Sequence, residues 1–209
     1  MVRVWDIFVR VSHWALAAGF FVAYFTEDNL LLLHVWAGYL VGVLVVLRLL
    51  WGVVGSKHAR FTDFVCGPRR AAGYLLDLFR FRAPRYLGHS PAGGAMAVVL
   101  WIGLLVVVWS GLEFYAIEEG AGPLAAASGA SNAAAPGAAR LVLVSEEPSE
   151  GEGGRKGLWE AVHEAGAEIL FVLVLLHIAG IVLASLVHRE NLIRSMVNGM
   201  KRADPGRTT

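Results

Sequence analysis

The 209-residue chain contains one cysteine, Cys66. That excludes an internal disulfide, a CxxCH haem attachment and a cysteine-only iron–sulfur centre within the chain. Charge is also scarce. Only 17% of residues are charged, and 18 basic against 17 acidic side chains leave a formal net charge of +1. Such a balance offers no electrostatic footprint for nucleic acid, so no nucleic-acid partner is expected. No internal repeat is visible. A cleavable signal peptide is not expected either, because the first apolar run ends in acidic residues rather than a small-residue cleavage site. That run is expected to stay in place as a membrane anchor.

Apolar residues dominate what is present: 56% of the chain is hydrophobic and its mean hydropathy is +0.58. These values fit a polytopic helical membrane protein better than a soluble domain. A helix needs about 20 apolar residues to cross a bilayer. Four stretches qualify: Val9–Phe25, Leu30–Val54, Ala95–Ile117 and Trp159–Val187. Trp5, Trp14 and Tyr24 are expected as interfacial anchors of the short first span. The acidic turn Thr26-Glu27-Asp28-Asn29 makes the first two spans antiparallel neighbours. The expected fold is an all-α membrane protein, a four-transmembrane-helix bundle forming a single membrane domain over residues 1–209.

Basic residues set the orientation. Arg3 and Arg10 precede or open the first span, Arg48 lies near the end of the second, and Lys57, Arg60, Arg69, Arg70, Arg80, Arg82 and Arg85 fill the second connection. Arg189, Arg194, Lys201, Arg202 and Arg207 follow the fourth span. The opposite side holds only Arg140, Arg155 and Lys156, among many glutamates. The positive-inside rule then predicts both termini in the cytoplasm, with the protein in a bacterial inner membrane. Within the second connection, Ala71, Tyr74, Leu75, Leu78 and Phe79 fall at helical spacing. This predicts an amphipathic helix over 68–82, lying on membrane lipid or packed under the bundle. The Ala/Gly/Ser/Glu-rich segment 118–157 is expected as a flexible periplasmic loop, with Arg140–Ser145 as a candidate short strand.

Four histidines, His13, His34, His163 and His177, lie within the apolar spans. An intramembrane imidazole is costly unless compensated, so each is a functional candidate. His163 and His177 stand fourteen residues apart on the fourth span, roughly 21 Å along a helix axis and close to one face. Given the predicted orientation, depth matching pairs His13 with His177 toward the cytoplasm and His34 with His163 toward the periplasm. Each pair supplies the two axial ligands of a non-covalent haem b, so two haem b groups are expected. Small residues beside the ligands leave room for a macrocycle: Ala17 near His13, Gly38 and Gly42 after His34, Gly166 after His163, and Gly180 after His177. The same residues also serve plain helix packing.

Buried, hydrogen-bonded structural histidines explain one such residue more readily than four in matched pairs. Zinc is disfavoured, since His163-Glu164 opens a zinc-protease pattern but position 167 is Ala. His58, His89 and His188, at or beyond the inner ends of spans, are expected to be solvated or bound to phosphate rather than to act as ligands. Arg10 and Arg48 are placed to meet haem propionates or lipid phosphates, and the sequence leaves both open.

At these residues the chain resembles the bacterial cytochrome b561 family, which includes the b-type subunits of nickel–iron hydrogenases. The resemblance is carried by Val4-Trp5-Asp6, Arg10-Val11-Ser12-His13-Trp14, His34-Val35-Trp36-Ala37-Gly38-Tyr39, Arg48-Leu49-Leu50-Trp51-Gly52 and Gly88-His89-Ser90-Pro91-Ala92-Gly93-Gly94. His163-Glu164, His177-Ile178-Ala179-Gly180 and Glu190-Asn191-Leu192 add to it, and about 120–157 stands outside it. The resemblance implies a di-haem cytochrome ligated by the same four histidines. It also implies electron transfer between the quinone pool (ubiquinone or menaquinone) and a redox partner. A periplasmic c-type cytochrome, drawn to the acidic outer loop, is the first partner expected, and a hydrogenase-like complex the second. Glu113, Glu164 and Glu168 are candidate acceptors of quinol protons, though each also reads as a residue meeting headgroups. Two rival functions remain in view: a self-contained superoxide oxidase that reduces quinone, and a non-redox membrane subunit. A homodimer and a subunit of a larger complex are both compatible with the sequence.

Overall fold

The computed structural model describes residues 1–27, 30–126 and 150–203, with only the backbone of 150–152. Among the described residues the regular structure is helical apart from one two-stranded ribbon. Its elements run β1 (Val2–Arg3), α1 (Ile7–Thr26), α2 (Leu31–Val54), a 3-10 turn (Lys57–Ala59), α3 (Phe61–Phe64), α4 (Pro68–Phe79), α5 (Pro91–Glu119), α6 (Glu150–His188), α7 (Leu192–Asn198) and β2 (Met200–Lys201). They form two compact units, Met1–Leu104 with Leu170–Thr209, and Leu105–Ile169, so that α5 and α6 each contribute to both.

Among the described residues four helices are long and apolar enough to cross a membrane: Ile7–Thr26, Leu31–Val54, Pro91–Glu119 and Gly153–His188 within α6. The shortest, at 20 residues, covers about 30 Å at ~1.5 Å per residue, the thickness of the hydrocarbon core. The expected spans fall within these helices except for Leu30, which caps α2. The helices overrun the apolar runs because hydropathy marks where lipid ends, whereas backbone hydrogen bonding continues into the interface. α6 accordingly takes in 150–157, which was expected in the loop. The proposed Arg140–Ser145 strand and Asp28-Asn29 of the first turn lie outside the described residues.

In the first unit, α2 shows why the long helices pack as they do. Ala37, Val41, Val45, Arg48 and Gly52 form its buried stripe, while Leu32, Trp36, Leu40, Val43, Leu47 and Leu50 are exposed and apolar, as suits a lipid-facing surface. The buried stripe meets α1 closely. A Cβ on Gly19 would stand 3.0 Å from Val41 Cγ2, so the absence of a side chain there sets the approach of the two helices. Tyr24 of α1 stacks on Phe171 of α6, with ring centres 4.6 Å apart. In the second unit, α5 and α6 run antiparallel: Val107 meets His163 and Gly166, Glu113 pairs with Arg155 at 4.0 Å, and Glu118 pairs with Lys156.

The polar ends of the first unit are closed by long-range contacts. β1 and β2 pair antiparallel, Val2 with Lys201 and Arg3 with Met200, which brings the two ends of the described chain to one side. Asp6 caps α1 by accepting from the Val9 amide at 2.8 Å, and it also accepts from Trp51 Nε1 at 3.0 Å and from Ser56 Oγ. Burial alone raises the Asp6 pKa. The hydrogen bonds from Ser56, Val9 and Trp51, with the charge of Arg48, outweigh it and hold the carboxyl below its ordinary value. Arg85 grips Glu190 through two 3.0 Å hydrogen bonds, from Nε to Oε2 and from Nη2 to Oε1. α4 forms over Pro68–Phe79 with Tyr74 and Leu78 buried and Leu75, Leu76 and Phe79 exposed, an apolar outer face suited to a membrane surface.

Candidate cofactor site

In the first unit α1 presents His13 and α6 presents His177, and the two imidazoles face one another with ring centres 6.5 Å apart. The His13 Nδ1 is buried with no hydrogen-bond partner, and no ring-nitrogen hydrogen bond is made by His177 among the described residues. A buried polar atom without a partner is costly and calls for a ligand or an ion. Trp14 stands edge-on to the His13 ring at 5.3 Å, limiting its rotation.

The other two histidines are held differently. His34 Nδ1 lies 2.9 Å from the Ala23 carbonyl of α1, in the first unit. His163 Nδ1 lies 2.9 Å from the Val107 carbonyl of α5, in the second unit, with Ser110 Oγ at 3.4 Å. A carbonyl accepts only, so Nδ1 carries the proton in each ring and Nε2 is the electron-pair donor. This backbone anchoring of the second nitrogen is the usual support for a metal-bound histidine.

Of the small residues singled out by sequence, Gly38 and Gly180 face open space, since an added Cβ would meet nothing within 4 Å. Gly42 and Ala17 are half-buried. Gly166 packs against α5, a Cβ there standing 3.1 Å from Val107 Cγ2. A glycine that the sequence reading passed over, Gly111, lies directly against the His163 ring, where a Cβ would come within 2.8 Å of Cε1 and 3.0 Å of Nδ1. Glu164 and Glu168 are exposed on α6.

The remaining histidines divide. His58 Nδ1 pairs with Asp63 Oδ2 at 2.9 Å, and His188 Nε2 meets Tyr74 Oη at 3.1 Å. His89 departs from the expectation of a solvated residue: its Nδ1 is buried and unpartnered, between the rings of Trp5 (4.7 Å) and Phe64 (4.4 Å). Burial, with the charges of Arg48 and Lys201, pushes its pKa down to about 3, so the ring is neutral. Trp5 is likewise buried against His89 rather than serving as an interfacial anchor. Among the described residues no three His, Cys, Asp or Glu side chains cluster to hold a bare metal ion, and the donor set that is present is paired imidazole.

Four helices fit to cross a membrane, with the imidazoles of His13 and His177 facing one another between α1 and α6, are what a helical membrane cytochrome requires. Residues 4–199 match the prokaryotic cytochrome b561 family, and the chain belongs to it. It is a multi-pass membrane b-type cytochrome that binds b-type haem and takes part in electron transport. Two relatives bear on its setting. The chain is 26% identical to a probable Ni/Fe-hydrogenase B-type cytochrome subunit of Rhizobium leguminosarum bv. viciae, over 95% of this chain and 87% of the relative. It is 27% identical to a protein of the same description from Azotobacter chroococcum mcd 1, over 96% of this chain and 88% of the relative. No solved structure matches the chain.

Proposed function

We propose that this chain is a di-haem electron conduit of the bacterial inner membrane, with both termini in the cytoplasm. It would work as the membrane subunit of a redox complex and exchange electrons with the quinone pool. The observation that carries the reading is the His13–His177 pair. An imidazole nitrogen lies about 2 Å from a bound metal; adding a ring radius of about 1.1 Å on each side puts rings across one iron about 6 Å apart, centre to centre. The observed separation is 6.5 Å, and a buried nitrogen of this pair lacks any other partner. Haem b therefore fits the donors present.

Bound there, haem supplies a one-electron couple that moves charge without moving atoms. His13 and His177 would hold the iron of one haem, in a site lined by apolar spans. His34 and His163, each with its proton fixed on Nδ1 by a backbone carbonyl, would serve as the ligands for the second haem that the sequence calls for. The relatives' description as hydrogenase b-type subunits favours a protein complex as the redox partner over a free c-type cytochrome.

The test is a pyridine haemochrome count on purified full-length protein and on single variants. The wild type should carry two haems per chain, and His13→Ala and His177→Ala should each lose one. A full complement in His177→Ala would overturn the assignment. Quinone reduction by the isolated chain at the expense of superoxide would replace the complex-subunit reading with the self-contained enzyme.

A further inference from the structure

Arg48 is a charged side chain in a membrane-spanning helix, 5% exposed, and its surroundings do not explain its charge. Among the described residues its guanidinium makes one hydrogen bond, from Nη1 to the Ala59 carbonyl at 3.3 Å, and no ion pair. It lies over the Trp101 ring at 5.0 Å. Asp6, whose charge reaches it, already accepts from Val9, Trp51 and Ser56. A cation this buried, with a single hydrogen bond among the described residues, is suited to an anion. The other buried cation nearby, Lys201, is satisfied: Nζ donates to the carbonyls of Gly88 (3.3 Å) and Tyr86 (3.5 Å) and lies over Trp5.

Arg48 and His89 belong to one layer. Trp101, beneath the guanidinium, meets Phe64 at 5.9 Å, and Phe64 meets His89 at 4.4 Å. His89 brings a buried, unpartnered ring nitrogen, its Nδ1. The layer adjoins the histidine pair. Along the antiparallel α1 and α2, Phe8 meets Trp51 and Gly19 meets Val41, so Arg48 stands within about half a turn of the level of His13, toward the chain ends. The charge of Arg48 acts on both His13 and His89.

We propose that Arg48 and His89 form the acceptor site for the propionate carboxylates of the haem held by His13 and His177. This rests on the haem reading above and assigns the site's polar end. Two carboxylates carried into an apolar span are costly unless met by donors, and a planar guanidinium with an imidazole nitrogen supplies them. Lipid phosphate, the other anion a membrane offers, is the competing source of the same chemistry.

The experiment compares haem b with its dimethyl ester, which lacks the carboxylates, in full-length protein reconstituted in nanodiscs. Wild-type protein should bind haem b at least about tenfold more tightly than the ester, the worth of one hydrogen bond to a charged group. Arg48→Gln should erase that preference and lower the midpoint potential of the haem that His177→Ala removes, leaving the other unchanged, and Arg48→Lys should restore part of both. His89→Gln should reduce the preference by a smaller factor. Equal weakening of haem b and ester in Arg48→Gln would overturn the proposal, as would a preference that follows anionic lipid content instead. If Arg48→Gln does not fold, the wild-type preference alone decides, since it needs no substitution. Failure of His177→Ala to lose a haem would refute the haem reading itself and is read separately, by haem count.

Discussion

Gly111→Ala tests the second unit at its tightest point. The added Cβ would lie 2.8 Å from His163 Cε1 and 3.0 Å from Nδ1, whereas carbon atoms rest at about 3.5–4.0 Å. The ring must retreat by about 0.7 Å or swing away, and either motion strains the 2.9 Å bond between Nδ1 and the Val107 carbonyl. Losing that bond costs about 0.5–1.5 kcal/mol, and overpacking adds about 1–3 kcal/mol. A total near 2–4 kcal/mol corresponds to roughly a 30- to 1,000-fold loss in haem affinity. The assay is transfer of haem to excess apomyoglobin, followed optically, in which Gly111→Ala should release one of two haems far faster than wild type. Gly157→Ala on α6, where a Cβ meets nothing within 4 Å, is the control and should release at the wild-type rate. Wild-type release from Gly111→Ala would refute the reasoning, because a ligand ring cannot be both tightly seated there and indifferent to the methyl group.

Gly38→Ala and Gly180→Ala should raise helix stability by up to about 1 kcal/mol, since the methyl group touches no protein atom. Gly38→Leu and Gly180→Leu should instead lose haem, and unchanged haem counts in both would remove these glycines from the cofactor wall. Burial raises the pKa of Glu190, but its bonds from Arg85 and the Arg202 amide, with the charge of Arg85, win and hold it below the ordinary value of 4.5. Its contribution is therefore complete above pH 4.5 and is lost as pH falls through the lower folded value. Exchange protection of the Arg202 amide, corrected for intrinsic rate, should drop there, and Glu190→Gln should abolish that acid step. Finally, a redox titration should resolve two haems, the higher-potential one absent from His177→Ala; survival of the higher-potential component in that variant would reverse the order. Carbonyl-anchored imidazoles are stronger donors and favour ferric iron, whereas neither ring nitrogen of His13 is bonded to a carbonyl among the described residues, and His13 lies within reach of the charge of Arg48.

The spans were legible because lipid imposes one simple demand, a long run of apolar residues in a helix, and the sequence meets it four times. The histidines were legible for the complementary reason: polar groups are rare where that demand holds. What escaped depends on contacts far apart in the chain. Gly111 sits on a helix that carries none of the proposed ligands, and its close fit is set by the His163 ring it faces on α6. His89 follows a polar connection and reads as interfacial. It is buried only because Trp5, from the chain start, and Phe64, from α3, close over it. Arg48 was visible as a charge near a span end. Its position on the buried stripe 37, 41, 45, 48 and 52 is what separates it from an arginine that snorkels to headgroups.

The motifs that carry the resemblance divide by the physical task they perform. Asp6, Trp51 and Ser56 form one hydrogen-bonded knot from segments about fifty residues apart, and Gly52 leaves the space that the Phe61 ring occupies. Ser90 caps the Gly93 amide at the start of α5, while Gly88 and Gly94 admit the His58 ring and the Phe64 backbone. None of these residues is placed to touch iron. Together they hold α1, α2 and α5 at the end where Arg48 and His89 lie, and they do so with polar groups satisfied among themselves. The buried side-chain nitrogens left without partners among the described residues of the first unit are His13 Nδ1, on the histidine pair, with Arg10 Nε and His89 Nδ1. A fold that satisfies its polar groups in the knot and leaves the His13 and His89 nitrogens open is what the proposed haem site, with its metal and carboxylates, requires.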